Sequence, residues 1–300
     1  MRKRALLLLS VTLLGAPTIG AAPEVLRMQA TSKWHLDYAD NFCRLGRQFG
    51  TGEDSVLVMF DKYAPEETFS MTIVGNSIRA DSDNSSLSIR FGPTEAMQKV
   101  EFFNSRYGET NAFILRGSNR IAPPTIDEEK AIKKRKGDEW VELSPIAQER
   151  YAKVRYLELG KPLKKAITLE TGALQKSFAA LDECVDNLMA RWGIDSKKHA
   201  SLSRRVTPIG NPGQWITSKD YPHQMLRAGQ RAIVDFRVLV GADGKPTVCL
   251  IQATTTPKEF DDAVCKSLMR RATFLPALDS EGIPTASFWR NRVVFAIPKL

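Results

Sequence analysis

Four cysteines and three histidines have the widest chemical reach in this 300-residue chain, and neither set is spaced for catalysis or metal binding. Cys43, Cys184, Cys249 and Cys265 form no CxxC, so neither a zinc ribbon nor a thioredoxin-like redox site is indicated. His35, His199 and His223 fall in an expected strand, a linker and a short helix, without ligand spacing, and read as surface or packing residues. GxSxG, SxxK, HExxH and GxxxxGK[ST] are all missing. The carboxylate pair Asp261-Asp262 falls in the first turn of an expected helix, where it complements the helix dipole. The chemistry that remains is cross-linking, because an even number of cysteines in an exported chain favours disulfides. The residues therefore point to binding, and no cofactor is implied.

Export is read from the N-terminus. Arg2, Lys3 and Arg4 precede an apolar stretch from Ala5 to Gly15, and small residues Gly20, Ala21 and Ala22 follow. A membrane span needs about 20 apolar residues, and Pro17 interrupts any extension of this one. Residues 1–22 are expected to be a cleavable signal peptide delivering a periplasmic protein, with an uncleaved inner-membrane anchor as the alternative. The formal charge of +9 falls to about +6 once the three basic signal residues leave. That modest excess reads as a solvated surface rather than a site for anionic lipid or peptidoglycan. Partners are expected to be proteins, with no nucleic acid and no small-molecule cofactor.

The elements that must hold these residues fall into two groups. Residues 31–193 are expected to form a β-rich domain closed by a long helix. Short apolar or alternating runs occur at 34–38, 55–60, 68–74, 87–91, 100–103 and 112–115, separated by glycine-bearing turns. A small antiparallel sandwich or barrel is expected, with 121–140 as an exposed excursion carrying Pro123-Pro124 and a basic run. Leu174, Phe178, Leu181, Val185, Leu188 and Trp192 recur at helical spacing, predicting a helix over 171–192 with Thr171 as N-cap and Gly193 as its stop. Cys184 borders that stripe and Cys43 lies in the early strand region, so a Cys43–Cys184 bond would tie the helix to the start of the domain. Residues 194–213 gather Ser, Arg, Lys, Pro and Gly and read as a linker.

The last segment, 214–300, opens with Tyr221-Pro222 and a short helix ended at Gly229. Residues 232–240 alternate, with Val234, Phe236, Val238 and Val240 on one face and Ile233, Asp235, Arg237 and Leu239 on the other. Asp243-Gly244 marks a tight hairpin. Thr256-Pro257-Lys258-Glu259 reads as a helix start with a capping box, and Phe260, Val264 and Leu268 form the stripe of the helix that follows. Phe274-Leu275-Pro276-Ala277 ends it, and 286–297 is the last strand. The fold class expected for the chain is α+β.

The order Tyr221-Pro222, Gly229, Val234, Asp243-Gly244, Phe274-Leu275-Pro276-Ala277 resembles the C-terminal domain of the TonB family of periplasmic energy transducers. One departure is Ala232, where that family commonly repeats a glycine three residues after the first. The resemblance implies a ββαβ domain with its first strand central and its last at the edge. Cys249 and Cys265 would then meet between sheet and helix as a second disulfide. Ile233, Leu239, Val248, Leu250, Phe288 and Val294 would share the opposite face, which is too apolar to stand bare and should be covered by the N-terminal domain or by a second copy.

The resemblance also implies that an outer-membrane or periplasmic protein adds a strand along 286–297. Arg290, Arg292, Val294 and Phe288 would lie near the arriving strand, with Tyr221 and Pro222 completing the binding residues. The two arginines would favour an acidic segment. A TonB-type energy transducer would need a membrane anchor and a long proline-rich span. Here 16 prolines are scattered, only Pro123-Pro124 are adjacent, and a folded domain occupies the place of the span. The favoured reading is a periplasmic binding or adaptor protein. Energy transduction is the alternative, and a secreted enzyme, needing a catalytic constellation within 31–192, comes last.

Overall fold

The computed structural model describes residues 25–80, 86–117, 119–134, 141, 143–255 and 257–297. The expected signal peptide, the basic run at 135–137 and Thr256 of the expected capping box lie outside the described residues.

The N-terminal region is one ten-stranded sheet. Its strands are β1 (Val25–Gln29), β2 (His35–Tyr38), β3 (Cys43–Phe49), β4 (Val56–Lys62) and β5 (Ser70–Gly75). They continue with β6 (Ser86–Gly92), β7 (Gln98–Tyr107), β8 (Thr110–Leu115), β9 (Tyr156–Leu159) and β10 (Ala166–Glu170). The spatial order is β1-β10-β9-β6-β7-β8-β5-β4-β3-β2. Just past β1, Ala30 bridges Phe49 at the end of β3, and Gly50 N donates to Gln29 O at 2.9 Å. The end strand β1 thus leads into a contact with β3, next to the far edge, and rolls the sheet into a barrel-like layer, which leaves fewer edges unpaired.

Strand β4 lies well inside the sheet, so its sequence is nearly continuous in apolar residues. Val58 and Phe60 enter the main core, while Met59 packs with Val74 and Ala112 on the other face. Helix α1 (Ile126–Lys134) and helix α2 (Gln148–Lys153) interrupt the strands, and helix α3 (Gln175–Arg191) covers the roll. Phe178 on α3 meets Phe60, Phe69 and Tyr151 at centroid distances of 5.1–5.4 Å. Cys184 is disulfide-bonded to Cys43, pinning α3 to β3.

Helix α3 begins four residues later than the expected N-cap. Thr171 turns its hydroxyl onto the Gly172 carbonyl, Gly172 adopts φ +64°, and Leu174 precedes the first turn. Gly193 does end the helix, at φ +75°, a conformation glycine adopts without strain.

The stretch expected as a linker is folded. Asp195 caps helix α4 (Ser196–Ala200) by accepting from Lys197 N and Lys198 N. Ser203 N donates to Leu278 O, Arg204 donates to the Pro276 carbonyl, and β11 (Thr207–Pro208) pairs with β14 (Phe274–Leu275). Polar composition marked this stretch as loop, but its backbone partners lie some seventy residues further on, which no local pattern reveals.

The C-terminal unit then follows the expected plan. After α5 (His223–Arg227), strands β12 (Ala232–Val240), β13 (Pro246–Thr254) and β17 (Ser287–Phe295) form a sheet in the order β13-β12-β17. Helix α6 (Lys258–Arg271) covers one face, burying Phe260, Val264 and Leu268 against Val234, Phe236 and Val238. Cys249–Cys265 joins β13 to α6. A small ladder of β15 (Ala277–Leu278) and β16 (Pro284–Thr285) leads into β17.

Candidate functional site

The two edges of the C-terminal sheet differ. Strand β17 pairs with β12 over nine consecutive residues, from Ala232 with Phe295 to Val240 with Ser287, without a register shift. Strand β13 carries two irregularities, passing over Gln252 and Thr247. Bulges twist a strand away from a straight ladder and discourage further pairing. Gln252 uses its bulge to reach the N-terminal region, donating from Nε2 to the carbonyls of Asn41 and Tyr63 at 3.2 and 3.3 Å. No described strand lies on the other side of β17, which makes it the regular edge of the domain.

The N-terminal region covers part of the face opposite α6, over Phe288 and Leu239, and leaves Val248 and Val294 exposed. Phe288 is buried in the N-terminal core, 6.0 Å from the Trp192 ring and stacked 4.8 Å from His199. Arg290 Nη2 donates to Glu66 Oε2 at 2.6 Å. Arg292 grips Asp235, its register partner on β12, at 2.8 and 2.9 Å, and reaches Ser70 Oγ at 3.2 Å. Alternation placed both arginines on this outer face, but they are engaged there rather than open to solvent. Burial alone would raise the Glu66 carboxyl, but the charge and hydrogen bonds of Arg290 outweigh it and hold Glu66 below the ordinary carboxylate range. Nearby, Asp61 is raised by burial despite its two-pronged bond to Arg44.

Between these pairs lies an unmatched charge. Arg237 is 0% exposed, and none of its three guanidinium nitrogens has a hydrogen-bond partner. Its register partner is Arg290, another cation, and its guanidinium lies over the Trp192 ring with Cζ 3.1 Å from the centroid. Burial pushes its pKa down to about 9. A desolvated cation–π contact contributes about 2 kcal/mol, whereas an uncompensated buried ion costs several kcal/mol. The penalty wins, so Arg237 weakens the junction that the neighbouring pairs hold.

The other residues expected to bind divide. Val294 is 41% exposed on β17 and remains available. Tyr221 is buried between Phe260 and Phe295 and donates its hydroxyl to Gln230 O, and Pro222 precedes the first turn of α5. Tyr221 is thus held in the domain core, while Pro222 is half-buried. Sequence reading missed Arg237, His199, Trp192 and Glu66 as junction residues; the one available signal was an arginine in a strand whose other residues, Asp235 apart, are apolar.

His199 and Ser287 form a buried histidine–serine pair, with Nδ1 3.0 Å from Oγ. Arg205 Nη1 lies 3.1 Å from Nε2 and can only donate, so Nδ1 carries the proton. His199 therefore cannot take a proton from Ser287. Among the described residues no group of three His, Cys, Asp or Glu side chains is placed to hold a metal, and no helix is long and apolar enough to cross a membrane.

The motif residues explain each other structurally. Gly244 has φ +77°, and an added Cβ would sit 2.2 Å from the Phe274 carbonyl oxygen, while Phe274 N donates to Gly244 O. Hairpin and post-helix segment thus fit only through a glycine. Gly244→Ala is expected to destabilise the chain by about 2 kcal/mol through left-handed strain and the backbone clash. Urea unfolding checks it, and a change below about 0.5 kcal/mol would mean that the segment relaxes freely.

The C-terminal unit is thus a ββαβ domain with one regular and one irregular edge strand. Residues 217–297 match the model of the Gram-negative bacterial TonB protein C-terminal, a family of interaction domains. A search of curated proteins returns no match for the chain.

Proposed function

We propose that this is an exported periplasmic adaptor that captures an outer-membrane or periplasmic protein by strand addition along β17. The observation that carries the reading is the contrast between edges: nine regular residues on β17 against two irregularities on β13. Backbone hydrogen bonds supply affinity in this mode, and side chains beside the edge supply selection. A transducer reaching across a compartment needs a free span before this domain. Here 194–213 folds onto both neighbours, which supports an adaptor whose two domains act together.

Val294 and Val248 provide the test, since each is 41% exposed and they lie on opposite edge strands of one sheet. A photo-cross-linking phenylalanine analogue at Val294 should trap an envelope protein, and the same group at Val248 should not. Trapping from Val248 alone would place the interface on the wrong edge. Amide shifts produced by the trapped segment as a peptide should then concentrate in 287–295; their absence there would end the strand-addition reading.

A further inference from the structure

We propose that the N-terminal domain is a displaceable cover over the outer face of the C-terminal sheet, and that Arg237 keeps the cover from locking shut. The junction is fastened at its margins by Arg290 with Glu66, Arg292 with Ser70 and Phe288 against Trp192. At its centre the fastening fails. Arg237 is wholly buried against Trp192 with three unpartnered nitrogens, and Trp192 Nε1, Arg292 Nη1 and Gln252 Oε1, on residues of the same junction, are unpartnered as well. Buried polar groups in folded proteins are nearly always satisfied, and six of the eleven unpartnered buried side-chain atoms among the described residues fall on these four junction residues, which marks a contact that is not optimised for permanence.

Opening returns Arg237 to water and uncovers three arginines against the single carboxylate of Asp235, flanked by Phe288 and Leu239. That face suits an acidic partner surface with apolar residues, for which Glu66 is the resident substitute. Because β17 is both the open edge and one wall of the covered face, the cover limits what can approach the strand. The inference deepens the strand-addition reading by naming its gate.

Amide hydrogen exchange of residues 63–68, whose Tyr63 carbonyl and Glu66 carboxylate meet the C-terminal sheet, reads the opening without any partner. In the full chain, Arg237→Leu should slow exchange of these amides at least tenfold relative to the β12 amides, because an apolar side chain removes the cost of closure. Glu66→Ala should speed it by a similar factor. If Arg237→Leu does not fold, Arg237→Met keeps a long side chain against Trp192 and carries the same expectation. Unchanged or faster exchange in the folded leucine or methionine variant would overturn the proposal, since the arginine would then be holding the junction. Cross-linking from Val294 does not depend on this outcome, so the gate and the strand-addition reading fail separately.

Discussion

Replacing Cys43 and Cys184 together with alanine is expected to lower the unfolding free energy by up to about 5 kcal/mol. The bond closes a loop with a sequence separation of 141, so its loss returns a large conformational freedom to the unfolded chain. By the same chain-entropy argument the Cys249–Cys265 bond, with a separation of 16, contributes about 3 kcal/mol. Typical domains have only about 5–15 kcal/mol in total, so loss of the longer loop removes a third or more of what holds the N-terminal roll folded. Both sulfurs of the longer loop are buried in the core, whereas Cys249 and Cys265 are partly exposed. A thiol reductant should therefore open Cys249–Cys265 first and Cys43–Cys184 only after the roll loosens. Urea unfolding of the double alanine variant measures the first expectation, and a loss below about 1 kcal/mol would show that α3 is held by packing alone. Peptide mapping during reduction measures the order.

How much of this was legible depended on the range of each interaction. The stripe from Leu174 to Leu188 and the alternation from Val234 to Val240 are local periodicities, and the structure keeps both. Strand β3 was not legible, because Cys-Arg-Leu-Gly-Arg-Gln-Phe puts polar residues at three of its positions and a glycine at a fourth. They are tolerated because Arg44 bonds Asp61 across the ladder, and Arg47 reaches the carbonyls of Ser32 and Thr171. Strands β9 and β10 were missed as well, being short and set between charged segments. At the site, alternation put Arg290 and Arg292 on the correct face. Their partners Glu66 and Ser70 lie more than two hundred residues earlier, and complementarity at that distance leaves no mark on either local pattern. Even the expected cover over the outer face was legible only as an excess of apolar side chains; that α4 and Trp192 would supply part of it was not.

Acid is expected to weaken this junction through His199. Burial and the charge of Arg205 hold its pKa down to about 4, with Glu66 opposing, against the ordinary 6.5. Between those values an unfolded chain takes up the proton and the folded one does not. Stability from this group is complete above about pH 6.5 and drains away as pH falls toward 4, reaching a loss of about 3 kcal/mol when the folded form protonates. The geometry says why: protonated Nε2 has no lone pair for Arg205, and the new cation would face that guanidinium across 3.1 Å. Glu66 does not interfere with the reading, because its depressed carboxyl loses its contribution only below about pH 4.5. The measurement is unfolding free energy from pH 7.5 to 4.5 for the native chain and for His199→Asn. The asparagine variant starts lower, having lost the stack on Phe288, but should lack most of the fall between pH 6.5 and 4.5. Parallel curves for the two proteins would assign the acid sensitivity to other groups and free the junction of its histidine.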